Sequence, residues 1–424
     1  MRLLAPYAQI LRHPGALGFS GAAFVARLPL SMVGLGIVLL VSSVTGSYAL
    51  AGALTACYVV ANAVAGPLGS RYVDRWGQRR VVGILVAVHA SSLLVFVAAV
   101  LAGWPTAALA MASLLAGATQ PATGALVRAR WAVALGEHPS LRTAFAFESV
   151  LDELIFILGP PLATTLAVVL GAPAPLVVSV ALVSIGSVLL LAQRKTEPQP
   201  VPRSPAGGDS LLSRPGVIPV VASMVAIGAV FGSVDVATVA AADEAGTRIA
   251  AGVVLALYAA GSMGAAVVLG ARSHRRRDSA LPRQLALAAA AVAVTSVAFP
   301  LATVVSAAGV VGGSLAWLGL VALAAGLSVS PVLITAFALL ERLSPPARLT
   351  EALTWGVSGI ALGVAIAAAV TGAVVERSGS GGGFMVTLVA GLLTLVCALI
   401  ALPMLSQIRA GADEDVPRAE PRGH

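Results

Sequence analysis

Ser70-Arg71-Tyr72-Val73-Asp74-Arg75-Trp76-Gly77-Gln78-Arg79-Arg80 places four arginines and one carboxylate between two long apolar runs. The run before it reaches back to about residue 47, and the run after it extends to about residue 102. Each exceeds the ~20 residues that carry an α-helix across a bilayer core. A charged turn between two such runs is a membrane-surface loop, and the rest of the chain divides around it in the same way.

Of 424 residues, 58% are apolar and 10% charged, against about 25% charged in a soluble domain. Hydropathy and chain breakers mark twelve spans, at roughly 15–41, 47–70, 80–102, 106–130, 142–169, 174–192, 216–240, 247–271, 283–303, 313–340, 348–375 and 382–407. The short alternating strands of a transmembrane barrel do not occur. The first span is too long for a signal-peptide core and reads as permanent. The expected fold class is therefore an all-α polytopic membrane protein. Cys57 and Cys397 lie in separate apolar runs and read as free, packed thiols.

With the amino terminus placed inside, 23 of the 26 Lys and Arg residues fall on inner segments. Only Arg248 and Arg377 fall outside, and Arg27 lies within a span. Basic residues accumulate on the cytoplasmic side of membrane proteins, so both termini are expected in the cytoplasm and the chain in the cell membrane. The net charge of +8 reports this topology and does not imply nucleic acid.

Residues 193–215, rich in Pro and Gly, read as a linker between six-span halves at 1–192 and 216–409. The acidic tail 410–424 is expected to be disordered. The halves share spaced features: Tyr58 with Gly69 and Arg71, Tyr258 with Gly270 and Arg272. Gly117 and Pro121 in span four likewise match Gly326 and Pro331 in span ten. Duplicated halves of this kind are a pattern of secondary transporters.

Span five carries Glu148, Asp152 and Glu153, then Gly159-Pro160-Pro161. Ionisable groups inside a membrane are costly and mark functional sites. At ~1.5 Å rise per residue, Asp152 and Glu153 sit ~15 Å above the inner end, Glu148 ~9 Å, Arg27 ~18 Å and Asp235 ~27 Å. Glu148, Asp152 and Gly159 form one stripe of the helix, and Ser149, Glu153 and Pro160 form the next. Arg27 is the one basic group expected among these acids, paired with Asp152 or Glu153. An acid without a cation must face water or take up a proton, so these five charged residues are the candidates for ion pairing and proton coupling. A kink is expected at Gly159-Pro160-Pro161.

The opening loop resembles the signature of the major facilitator superfamily, Gly-x-Leu-x-Asp-Arg-x-Gly-[Arg/Lys]-[Arg/Lys]. Asp74, Arg75 and Gly77 fall on its Asp, Arg and second Gly, and Arg79 on its second basic position. Ser70 and Tyr72 replace its first Gly and its Leu. The resemblance implies two pseudo-symmetric six-helix bundles and a loop that bridges to the facing half in one state and releases it in the other. Gly159-Pro160-Pro161 resembles, in part, the helix-five motif of the superfamily's antiporters, with Ala163 and Thr164 at its closing glycines. The resemblance further implies a cavity lined by spans one, four, seven and ten, whose polar candidates are Ser31, Gln120, Thr123, Ser233, Ser328, Ser330 and Thr335. The arginine of many drug exporters at mid-span four is missing from Ala112 to Leu126.

The expected function is secondary transport by alternating access, with proton-coupled efflux of an amphipathic compound as the first reading. Uptake symport of a small metabolite is the alternative, and a non-transporting sensor or intramembrane enzyme a remote one. No catalytic cluster, metal-ligand set or P-loop is visible. The expected partners are the lipid bilayer, a small-molecule substrate and protons; the expected state is a monomer without cofactor, driven by the proton gradient.

Overall fold

The structure, a computed structural model, describes residues 5–136, 138, 140–200, 211–246, 249–272, 281–307 and 314–414. It is built of helices: α1 (Ala5–Leu11), α2 (Ala16–Arg27), α3 (Pro29–Thr45), α4 (Tyr48–Trp76), α5 (Gln78–Leu101), α6 (Thr106–Thr119), α7 (Thr123–Leu135), α8 (Leu141–Leu170), α9 (Ala174–Ala192), α10 (Val217–Glu244), α11 (Ile249–Arg272), α12 (Leu281–Ala307), α13 (Ser314–Leu343) and α14 (Leu349–Glu414). Among the described residues, ten stretches are long and apolar enough to cross a membrane. Two departures from one helix per span reconcile that number with twelve. Span four is divided into α6 and α7 by Gln120-Pro121-Ala122, and α14 contains spans eleven and twelve.

The division within α14 occurs at Gly379, whose φ of 69° and ψ of −172° are non-helical. That backbone suits a residue without Cβ. Glu244, at the end of α10, accepts from the Ser380 amide at 2.7 Å and the Ser380 hydroxyl at 2.5 Å. A carboxylate thus satisfies a donor that the break exposes. Span one also departs from a single rod: Arg27 ends α2, and Pro29 starts α3 at the position where proline's missing N–H costs nothing.

α8, by contrast, continues as one helix through Gly159-Pro160-Pro161. A Cβ on Gly159 would collide with Ser31 of α3. The glycine therefore lets α3 and α8 approach closely. Small residues at helix contacts are the general means of packing helices in lipid.

The repeated tyrosine and glycine pairs perform matching work. A Cβ on Gly117 would strike the Tyr58 carbonyl oxygen, and one on Gly326 the Tyr258 carbonyl oxygen. α6 thus nests against α4 as α13 nests against α11. The halves meet along α4 with α14 and α8 with α11.

The basic cluster 275–277 and Arg248 lie outside the described residues, as do the middle of the linker, 201–210, and the tail from 415 onward. Residues 410–414, expected to be disordered, continue α14.

Candidate functional site

α8 sets the site because its three acids point in two directions. Glu148 and Asp152, one turn apart, face α2 and α7. Glu148 is fully buried. Its Oε1 accepts from Ser20 and Trp131, each at 2.8 Å, and its Oε2 from Arg27 at 2.5 Å. Asp152 accepts from Arg27 at 2.6 Å on one oxygen and from Arg128 at 2.7 Å on the other. Arg27 therefore bridges Glu148 and Asp152 together, where pairing with Asp152 or Glu153 was expected. Two guanidiniums against two carboxylates make a neutral cluster in which each of the four carboxylate oxygens accepts at least one hydrogen bond. A buried charge costs several kcal/mol unless it is paired in this way.

Arg128 corrects the charge count. It was placed among the inner-surface arginines, with span four taken to end near residue 130. The break at Pro121 lets α7 continue to Leu135, which leaves Arg128 about 10 Å inside the helix end. It is 1% exposed, donates to the Gly124 carbonyl at 3.1 Å, and lies 4.2 Å over the Phe337 ring of α13. Span four thus does present an arginine to Asp152, two residues beyond the window read as empty. The helix break was visible as Pro121; its effect on depth was the missed signal. Arg130, also fully buried, donates to Gln78 at 2.8 Å and to Thr196 at 2.8 Å.

Glu153 points the other way, toward the second half. It accepts from Ser262 of α11 at 2.6 Å, and Ser262 shares a 2.8 Å hydrogen bond with Ser330 of α13. Asp235 of α10 and Tyr258 of α11 lie within electrostatic reach of it. Asp235 is exposed. Among the described residues neither Glu153 nor Asp235 forms an ion pair.

Of the other polar candidates, Ser330 alone joins this group directly. Ser31 donates to the Ile155 carbonyl at 2.8 Å and ties α3 to α8. Gln120 accepts from the Tyr58 hydroxyl at 2.5 Å. Thr123, Ser233 and Thr335 are buried and bond backbone carbonyls of their own segments. Ser328 shares a 3.1 Å bond with Thr295 of α12. His89 bonds the Ala116 carbonyl at 2.7 Å.

The segment Ser70–Arg80, expected as a loop, is helical on both sides of Gly77; it lies at the basic end of the bundle and joins the halves there. Gly77, with φ of 87°, turns α4 into α5. Asp74 accepts from the backbone amides of Thr350 at 3.1 Å and Glu351 at 2.9 Å, in the first turn of α14. Free amides and the helix dipole make a helix N-terminus a favourable place for a carboxylate. Ser70 and Thr354 share a 2.7 Å hydroxyl contact four residues deeper on each helix. Thr143 donates to the Gly270 carbonyl at 2.7 Å, and Tyr7 to the Ala266 carbonyl at 2.9 Å. This end is closed. Arg75 instead lies 5.5 Å over the Trp76 ring, and the Arg79 amide donates to Glu197 at 2.9 Å.

The profile of the Major Facilitator Superfamily matches residues 19–324. No curated protein matches by sequence. Solved structures with the same fold include a bacterial homologue of the iron transporter ferroportin in its outward-facing state, at 15% identity and TM-score 0.72 over 92% of this chain and 99% of that one. The human organic anion transporter MFSD10 aligns at 16% identity and TM-score 0.65, covering 92% of this chain and 100% of its own. The proton:xylose symporter XylE aligns at 15% identity and TM-score 0.65, covering 91% of this chain and 96% of its own. A profile over well more than half the chain, on a fold shared with transporters from end to end, makes this multi-pass membrane protein a member of the Major Facilitator Superfamily, a transporter and not an enzyme.

Proposed function

We propose that the chain is a secondary transporter that exports an amphipathic small molecule in exchange for protons, alternating between states open at opposite ends. The observation that carries this reading is the pair of acids, Glu153 on α8 and Asp235 on α10, that form no ion pair among the described residues while Glu148 and Asp152 are neutralised by Arg27 and Arg128. A carboxylate without a cation inside a membrane-spanning bundle is a group that can take up and release a proton as access changes. Efflux is favoured by the partial helix-five motif, with Gly159 seating α8 against α3. The lysine and arginine distribution supports a cell-membrane protein with both termini in the cytoplasm. The proton gradient drives it; no cofactor is required. A monomer suffices, since each six-helix half packs on the other half of the same chain.

Everted membrane vesicles test the reading. Acidifying the lumen should drive accumulation of substrate, and collapsing the gradient should abolish it. Accumulation that persists in the presence of a proton ionophore refutes proton coupling.

A further inference from the structure

α1 precedes the first span, yet it touches both halves of the molecule. Tyr7 and Ile10, spaced i and i+3, form its buried face. The chain then turns at Gly15, with φ of 84°, into α2. α1 is therefore carried by the first half. The Tyr7 ring lies near Phe147 of α8, in the same half, with centroids 6.4 Å apart. The Tyr7 hydroxyl leaves that half. It donates to the Ala266 and Val267 carbonyls of α11, each at 2.9 Å. One hydroxyl proton is thus shared by two acceptors, and each carbonyl has a second lone pair beyond its helix bond.

α11 has a socket for this side chain. A Cβ on Gly270 would overlap the Tyr7 hydroxyl. On Gly69, the repeat mate of Gly270, the same Cβ would make an ordinary contact, 3.5 Å from Leu85. The two glycines match in sequence, but only the second receives a side chain from the opposite half. Thr143 of α8 donates to the Gly270 carbonyl at 2.7 Å. Ala146 of α8, Ala266 of α11 and Ile334 of α13 form a small buried cluster beside it. The closed end therefore has two seams. Asp74 and Ser70 hold α4 to α14, while Tyr7 and Thr143 hold the second half at α11.

We infer that Tyr7 is a positioning residue of the transport cycle and α1 a strap: its hydroxyl clasps α11 while this end is closed and releases it when the end opens. Donor and acceptors belong to opposite halves, so parting the halves breaks the bond. Only interactions that differ between two states shift the balance between them. The inference rests on the alternation in the reading above, and not on export or proton exchange.

The test uses the full-length chain in detergent, with Cys57 and Cys397 replaced by Ala and Ile334→Cys as reporter. Ile334 is 6% exposed, so its labelling by a maleimide follows opening of this end. Tyr7→Phe keeps the ring and removes the hydroxyl. It should raise the labelling rate about fivefold, or about 1 kcal/mol. Gly270→Ala, which fills the socket, should act in the same direction. Adding Ser70→Cys/Thr354→Cys and oxidising before labelling pins the other seam, and the difference between Tyr7→Phe and its parent should then vanish. A difference that survives the cross-link is local loosening and overturns the strap. Equal rates without the cross-link, in a parent that does label, overturn the strap and leave alternation standing. A parent reporter that never labels removes alternation, and the strap with it.

Discussion

Glu148 and Glu153 occupy one helix five residues apart, yet their surroundings assign them opposite roles. Glu148 is fully buried with Arg27, Ser20 and Trp131 as donors. Among the described residues, Glu153 has Ser262 as its one hydrogen-bond donor. Breaking a buried ion pair by removing one partner costs about 3–5 kcal/mol, because the other charge is stranded. Glu148→Gln should therefore lower the melting temperature in detergent markedly. Glu153→Gln should melt as the parent does and lose proton-driven transport. The opposite pattern, with Glu153→Gln unstable and Glu148→Gln merely inactive, refutes the division. The stripe shared by Glu148 and Asp152 was legible in the sequence, because i and i+4 spacing fixes a common face. Arg128 was not, because its depth depends on where a broken helix resumes.

Helix pairs carry the symmetry of the molecule through two glycines. Gly117→Ala and Gly326→Ala each push a methyl into a tyrosine carbonyl, and overpacking of this kind costs about 1–3 kcal/mol. Both should melt below the parent, measured by thermal denaturation of the detergent-solubilised protein. Gly52→Ala, with open space about its Cβ position, should leave melting unchanged. Equal effects at all three sites would show that helix propensity governs the change, rather than close approach. The glycine, tyrosine and proline repeat was readable from spacing alone. The asymmetry it conceals was not: Pro121 lies in a gap between helices, whereas α13 continues through Pro331. Proline removes one backbone donor in either setting, and only the surrounding packing decides whether the helix resumes at once.

At the scale of the whole molecule, twelve spans in two halves followed from hydropathy, because lipid leaves the backbone few alternatives to helix. Which end is closed did not, since one sequence supports both states of a transporter and local pattern does not rank them. The closed end depends on Asp74 at the start of α14 and on the Ser70–Thr354 contact beneath it. A carboxylate at a helix N-terminus contributes about 0.3–2 kcal/mol. Asp74→Asn should thus raise the accessibility of this end, read as faster alkylation of a cysteine introduced at Thr354; an unchanged rate denies Asp74 a role in closure.

Alternating access requires that the Ser70–Thr354 contact open and close in every cycle. The direct measurement is transport by Ser70→Cys/Thr354→Cys, in a chain with Cys57 and Cys397 replaced by Ala, before and after oxidation. The hydroxyl oxygens are 2.7 Å apart, within the reach of a disulfide. Oxidation should abolish transport and reduction should restore it. Full transport by the cross-linked protein would contradict the account.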